Sequence, residues 1–450
     1  MDVSRTPDEN RNQEEVSLRK VIRSVTPPLV SLVIVMLGNG FFTTFTSLRL
    51  SVADYPNWMI GLINAFYYAG IMLGSVYVER LIERIGHIRT FAIVASVNSV
   101  MIVFQGAVMG VVSWSVFRFL MGFCVSGFFI VIESWLLLST GVKKRGRLLS
   151  LYMLTLYMAQ GFGQFILNLS PVESLFPYVI TVILSSLSVI PVCMMKSSGP
   201  LLLESSITNV FQILRKAPLG PIGCFVAGMI LSSFYALAPI FGREIHLSVL
   251  QISQIMGFTI LGGLVLQWPI GHLSDIFNRR KVIIGVCLAL MALTYALYHS
   301  QHFHYYLLLG LMILFGGISF TLYPLSITYT CDHFSDKKIV GITCALLVIY
   351  GVGCIVGPLV SPFFMSYFGP SGLFLYMSVL CAAFALVCFW RVFHAKSRKD
   401  EEQSDYLPLP RATSLAFYID PRSDLEDEDD LDDDDEDLYP FSQEYEDDED

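Results

Sequence analysis

GHLSDIFNRR, residues 271–280, sits between two apolar runs. FTILGGLVLQWPI (258–270) precedes it and KVIIGVCLALMALTYALY (281–298) follows it. Each flank, extended to its full length, approaches the roughly 20 apolar residues that a helix needs to cross a bilayer. The stretch between them is too short to be a domain and too polar to lie in hydrocarbon. It is a tight connection between two spans, carrying a glycine, an aspartate and an arginine pair.

The same alternation runs along most of the chain. Of 450 residues, 54% are hydrophobic and 15% are charged, against about 25% charged in an ordinary soluble domain. Twelve spans are expected, near 27–48, 59–78, 90–110, 113–138, 148–169, 175–195, 219–242, 252–272, 281–299, 305–329, 339–362 and 371–393. Lysine and arginine mark one side of them. Twenty-four basic residues fall in the N-terminal segment, in the even-numbered connections and after the last span, while only Arg49 and Arg243 fall on the other side. The positive-inside bias therefore places both termini in the cytoplasm. Residues 1–26 are polar and lack the apolar core of a signal peptide. The nine cysteines lie mostly within apolar runs and form no CxxC pair, so neither a disulfide framework nor a metal site is expected. No motif calls for a cofactor or nucleic acid.

Charge divides the chain unevenly. Twenty-three of the 38 acids lie in residues 400–450, beside only Arg411 and Arg422. A segment this acidic repels itself and buries no core, so 394–450 is expected to be a disordered cytoplasmic tail. A basic protein partner or a sorting address would suit it. The remaining organisation is an N-terminal segment (1–26), six spans (27–195), a linker (196–218) and six further spans (219–393). In the linker, Leu201, Leu202, Ile207, Val210, Phe211 and Leu214 could share one face of an interfacial helix. Weak internal repetition supports the division. The halves begin 192 residues apart, and ERLIERIGHIR (79–89) lies 192 residues before GHLSDIFNRRK (271–281).

These motifs resemble those of the major facilitator superfamily. GHLSDIFNRR is similar to its signature loop of glycine, Asp-Arg-x-Gly and basic residues, here Gly271, Asp275, Arg279 and Arg280. Asn278 stands in place of a glycine, and asparagine tolerates a left-handed backbone. The first-half copy keeps Arg84, Gly86 and Arg89 but has Glu83 for the aspartate. Arg118, Gly122 and Gly127 match a second signature in span 4. VIESW (131–135), RGRLL (145–149) and FTLYP (320–324) resemble a poorly characterised bacterial branch of drug-efflux-like permeases.

The resemblance implies an all-α membrane protein with 12 transmembrane helices in two pseudo-symmetric six-helix bundles. It implies a monomeric secondary transporter in a bacterial inner (plasma) membrane. Such a protein moves a small-molecule substrate by alternating access, as a symporter or antiporter and with protons as partner, rather than acting as an enzyme. A non-transporting membrane receptor or scaffold that uses its acidic tail is the alternative. Spans 1, 2, 4, 5, 7, 8, 10 and 11 would line a midplane cavity. Polar mid-span residues there include Asn39, Asn64, Tyr67, Tyr68, Gln160, Gln164, Tyr235, Gln267, Tyr323 and Tyr350, and each could serve the cavity or join helices. Arg118 lies about five residues, some 7–8 Å, inside the outer edge of span 4. It could couple transport to protons or snorkel outward beside Trp114. Glu133 could carry a proton or pair with Arg84, Arg89 or Arg145. Asp275 would latch the halves on the cytoplasmic side by capping the first turn of span 5 near Arg147–Ser150, and Glu83 would do the same near span 11. Loop charges that only set topology are the plainer alternative. Span 5 lacks the glycine-proline pair of antiporters, because Gln164 stands where proline would be. Transport direction therefore stays open.

Overall fold

A computed structural model describes residues 7–138, 145–194, 210–300, 303–334 and 339–394. The acidic tail, most of the linker and the connections holding Lys143, Lys144, Lys337 and Lys338 lie outside these residues. Within them the protein is built from helices, with no strand. The helices are α1 (Pro7–Val52), α2 (Asn57–Ile85), α3 (His87–Ala107), α4 (Val111–Leu138), α5 (Arg145–Gly163) and α6 (Phe176–Cys193). The second half holds α7 (Leu219–Glu244), α8 (Val249–Ile276), α9 (Arg279–Tyr298), α10 (Tyr305–Cys331), α11 (Ile339–Phe368) and α12 (Gly372–His394). A short helix, Val210–Lys216, precedes α7.

Eleven of these are long and apolar enough to cross a membrane among the described residues. The twelfth expected span, α5, falls short for a chemical reason. It opens on Arg145, Gly146 and Arg147, carries Ser150, Thr155 and Gln160, and ends after 19 residues in a 3-10 turn, Gln164–Leu169. It nonetheless packs along α1 and against α8 as a full member of the bundle.

The repetition in the sequence reappears as repeated contacts. A methyl group added at Gly70 on α2 would overlap the Phe119 carbonyl of α4, and one at Gly122 would overlap the Tyr67 carbonyl of α2. In the second half, Gly262 meets the Ile313 carbonyl and Gly316 the Thr259 carbonyl in the same way. Each partner lies 192 or 194 residues from its counterpart. The turns repeat as well. Asp54 and His246, 192 residues apart, both take the left-handed conformation, at φ 58° and 61°. The signature loops differ from each other. Gly86 has φ 83°, which glycine adopts freely. Asn278 does not take the left-handed backbone expected of it: its φ is −53°, and its side chain caps α9 by accepting a hydrogen bond from the Arg280 amide at 3.2 Å. A cap satisfies an orphan amide of the helix, which removes the need for glycine.

The halves are joined near one end of the bundle. We call this the opposite face, because the basic connections lie at the other. There Asn57 donates to Glu244 at 2.9 Å, Asn168 to Ser253 at 2.7 Å, and Arg243 to Ser51 Oγ at 2.8 Å and to its carbonyl. Gly61 on α2 faces the Pro358 carbonyl and the Pro362 ring of α11. Gly161 on α5 packs against Leu261 and Gly257 of α8.

The Gly61 seam yields a test. Gly61→Leu should wedge α2 away from α11 and cost about 1–3 kcal/mol, the usual price of overpacking. Thermal melting should fall, and spin labels at Arg147 and Ile276 should draw closer as the basic face closes. Unchanged distances would mean that this seam does not set the state of the protein.

Candidate functional site

Between the halves lies a cavity of about 170 Å³. Helices α1, α2, α4 and α5 supply one wall, and α7 and α11 the other. Neither α8 nor α10 contributes, although both were expected to. Helix α10 stands one layer back, where Tyr323 is fully buried behind Tyr350 with ring centroids 4.5 Å apart. Helices α3, α6, α9 and α12 turn residues such as Val103, Ile183, Tyr295 and Leu386 outward.

Of the polar residues singled out from the sequence, Asn39, Tyr67, Tyr68, Gln160, Tyr235 and Tyr350 line the cavity. Asn64, Gln164, Gln267 and Tyr323 do not. Gln164 instead joins helices: its Nε2 donates to the Gly40 carbonyl at 2.7 Å, and its Oε1 accepts from Thr44 at 2.7 Å. The glycine at position 40 leaves a carbonyl of α1 reachable, and the glutamine fills that opening. Gln267 is buried on α8, away from the cavity. Asn64 donates to Ser47 at 3.2 Å and to the Ile60 carbonyl at 2.9 Å.

Asn64 has a further role, because its Oδ1 accepts from Arg118 Nη2 at 3.1 Å. Arg118 is fully buried. It does not snorkel beside Trp114, whose indole donates to the Val108 carbonyl. Its guanidinium lies over the Tyr67 ring, 4.2 Å from the centroid, a cation–π contact strengthened by burial. Its Nε and Nη1 have no hydrogen-bond partner among the described residues. Tyr67 then donates to Asn39 Oδ1 at 3.1 Å. Arg118 thus reaches the cavity only through Tyr67.

Glu133 shows the same arrangement with the opposite sign. It is fully buried on α4 and accepts the Tyr152 hydroxyl at 2.5 Å. Arg84 and Arg89, expected as its partners, are exposed, and the side chain of Arg145 lies outside the described residues. Tyr152 lines the cavity. The sequence reading did not single it out. The signal was the helical spacing of Tyr152, Leu156 and Gln160, which puts all three on one face of α5. Thr43 could have been found in the same way, four residues after Asn39.

The second signature loop makes contacts within its own half. Asp275 lies 3.5 Å from Arg279, and buried Arg279 pairs with Asp332 at the end of α10. Arg280 is buried nearby and Gly271 is enclosed in α8. Glu83, Arg84, Gly86 and Arg89 are exposed. Arg147 and Ser150, the expected receptors of Asp275, are exposed too, and Ser150 Oγ donates back to the Gly146 carbonyl. The contacts between the halves described above lie at the opposite face.

Comparisons with known proteins agree with this geometry. The family model of the Major Facilitator Superfamily matches residues 222–421. The uncharacterized MFS-type transporter YcaD of Escherichia fergusonii is 27% identical over 379 residues, covering 83% of this chain and 97% of that protein. YcaD of Salmonella newport is 27% identical over 368 residues, covering 81% and 95%. Among solved structures, the nucleoside transporter NupG shares the fold at a TM-score of 0.66 and 13% identity, covering 83% of this chain and 100% of that one. A bacterial homolog of the human lysosomal transporter Spinster, inward-facing and occupied, also scores 0.66 at 13% identity, covering 84% and 97%.

Gln164 and Gln160 are one helical turn apart but differ in role, and substitution should separate them. Gln164→Leu removes two buried hydrogen bonds and takes the partner from the buried Thr44 hydroxyl, at a cost of about 1–3 kcal/mol. Gln160→Leu leaves no such orphan. Thermal melting of the two variants should fall clearly only for the first.

Proposed function

We propose that this chain, a member of the major facilitator superfamily, is a secondary transporter that carries a small solute by alternating access and couples it to protons. The observation that carries this reading is the cavity shared between two equivalent halves whose contacts, among the described residues, gather at one face. A site built from both halves is exposed to one side or the other according to which ends meet. The bias of basic residues supports assigning the basic face to the cytoplasm, so the present state is open inward. The relatives named above support a bacterial inner membrane as its location.

Asp275 and Glu83 belong to the opposite half of the cycle. When the basic ends close, Asp275 would reach the first turn of α5 and Glu83 the start of α11. A carboxylate at a helix N-terminus contributes about 0.3–1 kcal/mol, and up to about 2 when partly buried. In the present state Asp275 is held beside Arg279, ready for that exchange.

Coupling falls to Glu133 and Arg118. Glu133 is a buried carboxyl one hydrogen bond from a residue of the cavity wall, so solute binding against Tyr152 acts directly on its proton affinity. Arg118 holds Tyr67 and Asn39 in place and fixes the electrostatic setting of the same wall. The acidic tail is free to recruit a basic partner without taking part in transport.

Proteoliposomes containing Glu133→Gln should lose accumulation driven by a proton gradient and keep solute exchange at equal pH on both sides. Arg118→Lys should lower both. Full gradient-driven accumulation in Glu133→Gln would place the proton elsewhere. Absence of flux across a broad solute panel by the wild-type protein would favour the receptor or scaffold role.

A further inference from the structure

The cavity is neutral although charge lies close behind it. None of its lining residues is charged among the described residues. Tyr67 stands between the cavity and Arg118, and Tyr152 stands between the cavity and Glu133. Both charges of α4 are therefore engaged from behind by wall residues, one with a ring face and one with a hydroxyl. A cation in the cavity would have no carboxylate to touch, and an anion no guanidinium. A charge that loses its water against such a wall, with no partner of opposite sign, is strongly disfavoured.

The wall has a second consistent feature. Tyr67, Tyr68, Tyr152 and Tyr157 line one half, and Tyr235 and Tyr350 the other. Rings on facing walls favour a flat, unsaturated solute, because aromatic pairs gain beyond simple area burial. Neutral hydrogen-bonding groups accompany the rings, chiefly the amides of Asn39 and Gln160 and the hydroxyls of Thr43 and Ser232. Ser232 and Tyr67 already direct their hydroxyl protons into the protein, to the Gly228 carbonyl and to Asn39. The Ser232 oxygen is left to accept, while Tyr67 already has Thr43 beside its hydroxyl, so the wall favours a solute with an N–H or O–H group that reaches Ser232.

We propose that this cavity binds an uncharged, flat aromatic solute that carries hydrogen-bond donors on its rim. The assignment rests on the transport reading for its biological use, but binding tests it without flux. The probe is 2-naphthamide, with the purified full chain in detergent and affinity read by isothermal calorimetry. Three analogues change one property each. 2-Naphthoate is anionic, 2-naphthylmethylammonium is cationic, and decahydro-2-naphthamide is neutral but not flat. We expect 2-naphthamide to bind and each analogue to bind at least about tenfold more weakly, a difference near 1.4 kcal/mol. Gln160→Leu and Tyr350→Leu should weaken 2-naphthamide while melting like the parent protein. If Tyr350→Leu fails to fold, Gln160→Leu alone carries the test. Equal or tighter binding of either charged analogue, or of the saturated one, overturns the assignment, and so does the absence of 2-naphthamide binding. Binding without flux in proteoliposomes would overturn the transport reading and leave this assignment standing.

Discussion

Gly122 meets α2 at the Tyr67 carbonyl so closely that no side chain fits between the two backbones. Lipid tails are as apolar as leucine, so helices in a membrane gain little by hiding apolar surface from one another. They gain by approaching closely, and small residues allow it. The position of the site follows from this contact. Arg118 lies one turn before Gly122 on α4, and the close approach brings its guanidinium onto the Tyr67 ring and the Asn64 amide. With a larger residue at 122, α4 would stand off, and the arginine would lose both partners while still buried. The charge network thus depends on a contact that contains no charge.

The same contact recurs in the second half at Gly316 and Thr259, but the chemistry does not. Carried across by 194 residues, Arg118 corresponds to Met312 and Glu133 to Ile327, both fully buried and apolar. The duplicated fold keeps its packing contacts, but the two charges of α4 have no counterpart on α10; the buried Arg279–Asp332 pair of the second half lies where α8 and α9 join and α10 ends. The first half thus holds both the α4 charges and four of the six cavity tyrosines, and the second adds Tyr235 and Tyr350. The signature loops differ in a comparable way: Gly86 turns by its backbone, whereas Asn278 turns by capping a helix. Two residue types meet one geometric demand by different physics.

Much of this was legible in the sequence, and the rest was hidden for identifiable reasons. Apolar runs located eleven spans directly. Span 5 was located too, but its basic start and polar residues dilute the apolar signal that length relies on. The division into halves was visible because glycines and loop motifs repeat at a fixed offset. The cavity residues were harder to read. Every face of a membrane helix is apolar, so periodicity cannot say which face looks at lipid, at a neighbour or at a cavity. Asn39 and Gln160 lie on the cavity, while Gln164, one turn further along α5, answers a carbonyl exposed by a glycine on α1. No single-helix pattern separates those two glutamines. Asp332 went unnoticed because its partner Arg279 is remote in sequence and met only through the fold.

The neutrality of the cavity wall bears on how the membrane potential acts. Voltage does work only on charge that moves through the field, about 2.3 kcal/mol per elementary charge per 100 mV. Arg118 and Glu133 are fixed within one helix of one bundle, and a rocking motion shifts them little along the membrane normal. An uncharged passenger adds nothing. In the cycle proposed above the one charge displaced is the proton, so the current would report proton stoichiometry directly.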